Sequence, residues 1–377
     1  MELLALKAML ADRGRLLTGL MGVGFAVVLV NLQGGLYLGL MHKASLIVDC
    51  GQADLWLGHR HMESVDLPAA IPQRWGMRLR GVAGVERADP YIITYSEFAM
   101  PDGRHERVVL VGTDAAGLLG NAWSMAAGNP QAVRQPDGIL VDACELDKLG
   151  WPQVGDLCEL NGRRARIAGL TDGIVSFTTC PYVFTTLEQA RTKYSIISIP
   201  PGCCSYILVK AKPGTNLPDL IARIQKRVPE LDIRTKSDYA QRSRQYWQVR
   251  TGIGLSFGLA AVLGLLVGLV IVAQTLYASV NERLTEFATL RALGTGDGPI
   301  VRFLVAQALG HAGLGSGFGI VLSQLIGRVL TTPRAPVLLS ASVMAGSVVL
   351  VTVVCMVAAW LPYRCIRGLD PASVLRK

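Results

Sequence analysis

Residues 252–280 read GIGLSFGLAAVLGLLVGLVIVAQTLYASV, without a charged side chain. About 20 apolar residues of helix cross a bilayer core, so this run alone is long enough to span one. A buried helix of a soluble domain keeps a polar stripe, and no such stripe recurs here. Residues 16–40, 300–330 and 337–361 share this character. None of the four holds Asp or Glu, and basic residues occur only near the ends of the third, at Arg302 and Arg328. The whole chain is 51% hydrophobic and 17% charged, against about 25% charged in ordinary soluble domains. It reads as a polytopic α-helical membrane protein with four transmembrane helices, one before and three after a long interval, 41–250. The first span exceeds the apolar core of about 7–15 residues in a signal peptide, and no A-x-A-like site follows it, so it reads as an uncleaved anchor.

Lys and Arg near span ends set orientation. Lys7, Arg13 and Arg15 precede the first span. Arg283 and Arg291 lie in 281–299, with Arg302 at its edge, and Arg364, Arg367, Arg376 and Lys377 lie in 362–377. Only Arg328 and Arg334 flank the loop 331–336. The amphipathic segment 1–15, the loop 281–299 and the tail 362–377 are therefore expected in the cytoplasm, and 41–250 and 331–336 outside it, as in a multi-pass membrane protein. The net charge of +9 is partly this topology signal, which removes the main support for a nucleic-acid partner; membrane lipids are the expected surroundings.

The outer interval reads as an α/β domain. Residues 43–57, 85–98, 107–112, 206–210 and 231–235 read as strands, and 67–79 and 217–228 as helices. Between them, 139–170 reads as short strands and turns with a short helix near 145–149. Asn161-Gly162 marks a hairpin between 157–160 and 165–170. Both ends are strand–helix–strand, which predicts ferredoxin-like halves with an inserted small β-unit. The polar stretch 241–250, QRSRQYWQVR, runs into the second span and predicts one continuous stalk; Tyr246 and Trp247 read equally as interface anchors.

Several chemistries lack their residues. No lysine follows a glycine, so no phosphate-binding G-x-x-x-x-G-K-[ST] loop is present. No H-E-x-x-H or C-x-x-C occurs. His59 and His61 flank Arg60 and read as a strand face or loop rather than as metal ligands. No catalytic or metal site is expected. Cys50, Cys144, Cys158, Cys180, Cys203 and Cys204 lie in the outer interval, where an oxidising space permits disulfides. Cys144 with Cys158 would close a loop across the β-unit, and Cys180 could reach Cys203 or Cys204. Within the spans, His311 is expected to hydrogen-bond to a neighbouring helix. Pairs of small residues, Gly35/Gly39, Gly254/Gly258, Gly264/Gly268, Gly313/Gly317 and Gly315/Gly319, predict close helix packing or a dimer.

The loop 280–300 reads VNERLTEFATLRALGTGDGPI. Asn281 is a candidate N-cap, Glu282 and Glu286 sit at the positive helix end, and Gly294 is a C-cap signal. Leu284, Phe287, Leu290 and Leu293 recur every three or four residues. This predicts a short amphipathic helix that docks in a partner's groove, or lies on the bilayer surface.

The sequence from Glu282 to Gly294 resembles E-R-x-x-E-I-G-x-L-R-A-x-G of the FtsX-like/MacB-type (type VII) permeases of ABC transporters. The tail, Leu369-Asp370-Pro371-Ala372 with Leu375-Arg376, is similar to that family's D-P-x-x-x-L-R ending. The arrangement of spans matches as well. Residues 4–32, with Arg13-Gly14-Arg15-Leu16-Leu17 entering the first span, look like the DevC subgroup; Phe287 and Ala288 replace the commoner Ile-Gly. The resemblance implies a homodimer served by a separate ABC ATPase subunit that binds ATP and Mg, with no cofactor on this chain. It implies ATPase coupling through Glu282, Arg283, Glu286, Phe287, Leu290, Arg291, Leu293 and Gly294. It also implies a periplasmic adaptor of the membrane-fusion type, an outer-membrane channel of TolC type, and export of a lipid-type or hydrophobic cargo. FtsX-like signalling to a cell-wall hydrolase, or LolC/LolE-like lipoprotein release, would use the same layout.

Overall fold

The computed structural model describes residues 12–292, 296 and 298–367. The chain divides into two compact units: Met1–Gly39 with Gly254–Lys377, and Leu40–Ile253.

The first unit is a helix bundle. Its long helices are α1 (Arg13–Lys43), whose last turn belongs to the other unit, α6 (Ile253–Glu282), α8 (Gly298–Leu330) and α9 (Ala341–Arg367). At 1.5 Å per residue, the 31 residues of α1 extend about 46 Å, more than the roughly 30 Å hydrocarbon core. All four are long and apolar enough to cross a membrane. Leu255, Val321 and Val329 stand exposed on them, as side chains facing lipid would. Glycine sets the approach of the helices. Gly22 lies against Ile271, Gly264 against Leu29 and Gly268 against Ala26, which brings α1 to α6. Gly315 against Val23 and Gly319 against Val27 bring α1 to α8. Gly35 and Gly39 abut residues 336–339. Three glycines depart from the expected packing: among the described residues nothing comes within 4 Å of a Cβ built on Gly258, Gly313 or Gly317. Gly313 and Gly317 sit two residues out of phase with Gly315 and Gly319, so 100° per residue turns them off the contact face.

The second unit is built on one ten-stranded sheet. Its strands are β1 (Leu55–Gly58), β2 (Val85–Ala99), β3 (His105–Thr113), β4 (Met125–Gly128), β5 (Gly138–Asp142), β6 (Leu157–Leu160), β7 (Arg163–Thr171), β8 (Tyr182–Thr186), β9 (Tyr206–Ala211) and β10 (Asp232–Thr235). The order is β10-β1-β9-β2-β3-β8-β5-β7-β4, with β6 beside β2 and β7. The first four strands of that order are antiparallel to their neighbours. With helix α3 (Arg74–Arg80) between β1 and β2, and α4 (Leu217–Arg227) between β9 and β10, they form the ferredoxin-like arrangement that the two strand–helix–strand ends predict. The long strand β2 carries the sheet onward: Val85 to Tyr91 pairs with β9, and Tyr91 to Ala99 with β3. Strands β3 and β8 are parallel, as are β5 and β7, so the insertion is a full extension of the sheet. Asn161 (φ 51°) and Gly162 (φ 69°) are both left-handed and form the two-residue turn between β6 and β7, as the Asn-Gly pair predicts.

Both sheet faces are buried. Tyr206 and Leu208 of β9 join one cluster, and Ile207 and Val209 the other. A strand covered on both sides reads as an unbroken apolar run.

Four local expectations differ from the structure. Of 43–57, only Leu55–Gly58 is a strand. The first helix runs through Lys43, and α2 (Leu46–Asp49) follows where the Ser45 hydroxyl donates to Asp49 Oδ2 at 2.6 Å. The helix read at 67–79 begins only at Arg74, because Ile71–Pro72 pairs with Cys203–Cys204. The helix near 145–149 is a short 3-10 turn, Ala143–Glu145, whose start is held by Asp142 accepting from the Cys144 amide. The stalk is not continuous: α5 (Lys236–Arg250) stops before Gly252, whose φ of 71° is left-handed, and α6 starts at Ile253.

Candidate functional site

Two constructions stand out, one in each unit. The first is the inner end of the bundle. Helix α6 continues through Glu282, so Asn281 lies in its last turn and is not an N-cap. A one-residue turn at Arg283 leads into α7 (Leu284–Ala292). The aromatic ring of Phe287 is buried and meets Phe303 of α8 edge-on, with centroids 5.5 Å apart. Ala288 is buried beside it. The guanidinium of Arg283 lies 5.9 Å from the same Phe303 ring and 3.4 Å from Glu286. Glu282 pairs with Arg15 of α1, which also pairs with Asp12 at 2.9 Å. The residues expected to face a partner therefore divide. Phe287 turns inward and fixes α7 to the bundle, Glu282 and Arg283 hold the turn, and Glu286 is exposed. Leu290 and Arg291 lie within α7; their side chains, and Leu293 and Gly294 altogether, lie outside the described residues.

Behind this turn, Gln307 Nε2 donates to Ser279 Oγ at 3.0 Å, linking α8 to α6. His311 Nδ1 meets the Gln307 carbonyl of its own helix at 2.8 Å. The expected bond to a neighbouring helix is not made; the ring instead packs against Gly19 of α1, where a Cβ would collide with it.

The second construction is a clasp at the base of the sheet unit. The chain enters this unit through α2 and leaves through α5. The Ser243 hydroxyl donates to the Ala44 carbonyl at 2.7 Å. Arg244 donates to Ser45 Oγ at 2.8 Å and pairs with Asp49. Tyr239 OH donates to Tyr206 OH at 3.1 Å, and Tyr206 OH to the Val65 carbonyl at 3.1 Å. The Trp247 indole donates to Asp66 Oδ2 at 3.0 Å and packs on Phe177, tilted by 42° with centroids 4.4 Å apart. Trp56 lies under this layer, with Tyr91, Tyr206 and Tyr239 around it at 5.5–5.6 Å. Residues some 200 positions apart in sequence are thus locked together. No pattern in the sequence marks Ser45, Asp49, Asp66, Ser243 or Arg244 for this role.

Asp66 is the unusual member. It is buried and faces Tyr95, Tyr182, Tyr206 and Tyr239. Burial pushes its carboxyl up to about 6, against the lowering effect of the Trp247 and Ser64 hydrogen bonds. A carboxyl whose folded value exceeds its unfolded one binds its proton more tightly in the folded state, so stability falls as pH rises between the two values. The sheet unit should lose on the order of 2–3 kcal/mol from this group between pH 4 and pH 7. Asp66→Asn should remove that slope and raise the melting temperature at pH 7. Thermal unfolding of the full chain in detergent at both pH values checks this; an unchanged slope in the variant would reject it.

The six cysteines of the sheet unit do not pair. Cys50, Cys144, Cys158, Cys180, Cys203 and Cys204 are free thiols. Cys180 packs on the cluster of one sheet face and Cys204 belongs to the other, so the sheet separates them. Cys158 donates to the Ala165 carbonyl of its own hairpin at 3.6 Å instead of meeting Cys144, and burial pushes its thiol up to about 12. His59 Nδ1 donates locally to the Arg60 carbonyl, and among the described residues no cluster of three or more His, Cys, Asp or Glu could hold a metal.

Residues 19–227 match the MacB-like periplasmic core domain, and 258–371 match the FtsX-like permease C-terminal family. An uncharacterized ABC transporter permease of Mycobacterium tuberculosis is 25% identical over 326 residues, covering 82% of this chain and 80% of that protein. The pyoverdine export ATP-binding/permease protein PvdT of Pseudomonas aeruginosa is 31% identical over 123 residues, 33% of this chain and 19% of its own. The crystal structure of the periplasmic region of MacB from Actinobacillus actinomycetemcomitans aligns with a TM-score of 0.40 at 10% identity, over 51% of this chain and 92% of that one.

Proposed function

Since the chain belongs to the ABC-transporter permeases that join a MacB-like periplasmic core domain to an FtsX-like C-terminal region, we propose that it carries ATP-driven motion from a separate ABC ATPase to its sheet unit. The observation that carries this reading is the construction at the two ends of α6. At one end, α7 is fixed to the bundle by Phe287 on Phe303 and leaves Glu286 exposed for a partner. At the other, α6 is preceded by α5, which is bonded to Ala44, Ser45 and Asp49 around α2 and to Glu63 and Asp66. A displacement of α7 has a covalent route to the sheet unit, and the apolar glycine-packed spans need no aqueous path.

In this reading 1–15, 281–299 and 362–377 lie on the cytoplasmic side of the inner membrane, and Leu40–Ile253 lies in the periplasm. ATP and Mg belong to the ATPase. The permease pairs with a second copy, and its sheet unit works on a membrane-fusion-type adaptor and a TolC-type channel to export a hydrophobic or lipid-type cargo. The names of relatives that combine ATP binding, permease and export support this direction.

Replacing Leu290 and Leu293 together with Asp should release the ATPase from purified complexes while the thermal unfolding of the full chain stays unchanged. Two anchors of this kind contribute about 1.5–3 kcal/mol each when buried, so co-purification should fall at least tenfold. Undiminished recovery of the ATPase would reject the docking role of α7.

A further inference from the structure

We propose that the face of α5 formed by Arg242, Gln245, Tyr246, Val249 and Arg250 binds the phosphate of an anionic lipid headgroup at the membrane surface. These residues, with Glu63, line a cavity of about 310 Å³. At 100° per residue they fall within an arc of about 140° on the helix, and the buried Tyr239, Ser243 and Ala240 lie toward one edge of that arc. The charges are not self-satisfied. Arg250 shares Glu63 at 3.2 Å, and Arg242 has no ion-pair or hydrogen-bond partner among the described residues. One acidic group therefore stands against two guanidiniums. Gln245 and Tyr246 add an amide and a phenol, both able to donate to phosphate oxygens. Charge-assisted bonds from arginine suit phosphate in particular.

Two features favour a lipid over a free anion. Arg250 lies three residues before Ile253, where α6 begins, so the backbone of this lining residue is within about 11 Å of the start of a span. Val249 is 67% exposed on the same face; an apolar side chain beside a cationic and phenolic cluster is the composition of a membrane–water interface. The inference goes beyond the transport reading, because a headgroup would hold this face at the membrane whatever the cargo.

The test uses the full chain in a neutral detergent, stripped of native lipid and titrated with short-chain phosphatidylglycerol, with native mass spectrometry as the readout. Phosphatidylglycerol should bind, and Arg242→Gln should weaken it about tenfold, the loss of one charge-assisted contact. Arg242 has no partner among the described residues, so this variant keeps its fold, which its thermal unfolding verifies; Arg242→Lys should restore part of the binding. Excess inorganic phosphate should fail to displace the lipid. Equal binding by Arg242→Gln would overturn the site. Displacement by inorganic phosphate at the same concentration as the lipid would assign it to a free anion and overturn the lipid source.

Discussion

Trp56→Ala is expected to lower the stability of the sheet unit by about 3–5 kcal/mol, the range for removing a large buried aromatic. Trp56 is fully buried on β1, and its ring touches Tyr91 of β2, Tyr206 of β9 and Tyr239 of α5. The cavity left would sit where sheet and exit helix meet, so the hydrogen bond between Tyr239 and Tyr206 should loosen with it. Trp56→Phe should cost far less. The indole N–H has no hydrogen-bond partner among the described residues, so the smaller aromatic gives up volume but strands no acceptor. Thermal unfolding of the two variants separates these contributions. Equal losses for Ala and Phe would mean that the indole nitrogen, and not packing, holds this layer together.

The second large effect lies in the bundle. Gly315→Ile should separate α8 from α1, because a Cβ there runs into the Val23 side chain and overpacking costs about 1–3 kcal/mol or more. Gly317→Ile, only two residues on, should be tolerated, since no described residue lies within 4 Å of its Cβ. Expression level and melting temperature in detergent read the contrast. If both substitutions are equally harmful, the second glycine meets a partner outside this chain's own bundle.

How much of this was legible depends on the range of the interactions. The four spans follow from apolar length alone, and the Asn161-Gly162 turn from two adjacent residues, because local chemistry decides both. The ferredoxin-like pairing follows from two strand–helix–strand patterns. Glycine periodicity identified helix contacts but not their phase: Gly313/Gly317 and Gly315/Gly319 are equivalent on paper, and only the position of Val23 and Val27 distinguishes them. Phe287 was legible as part of the inner helix, while its inward direction depends on Phe303, sixteen residues away across a turn. The clasp was invisible. Leu46-Ile47-Val48 reads as well for a buried strand as for a helix turn, and its bonds go to residues near 243. Asp66 looks like an ordinary loop acid until the tyrosines around it are known.

The strand order has a consequence for how the outer unit is made. Strand β1 is formed by residues 55–58, yet its two neighbours are β9 and β10, near residues 207 and 234. The Ser243–Ala44 bond spans 199 positions. A chain made N-terminal end first must hold β1 and α2 unpaired until nearly the entire unit has been made. Such long-range closure makes for slow folding and leaves strand edges open in the meantime. The insertion from β3 to β8 pairs largely within itself and can assemble earlier. Maturation of this unit should therefore be late and closing, with the exit helix as the last piece to seat, and its nascent chain should depend on chaperones more than its final stability would suggest.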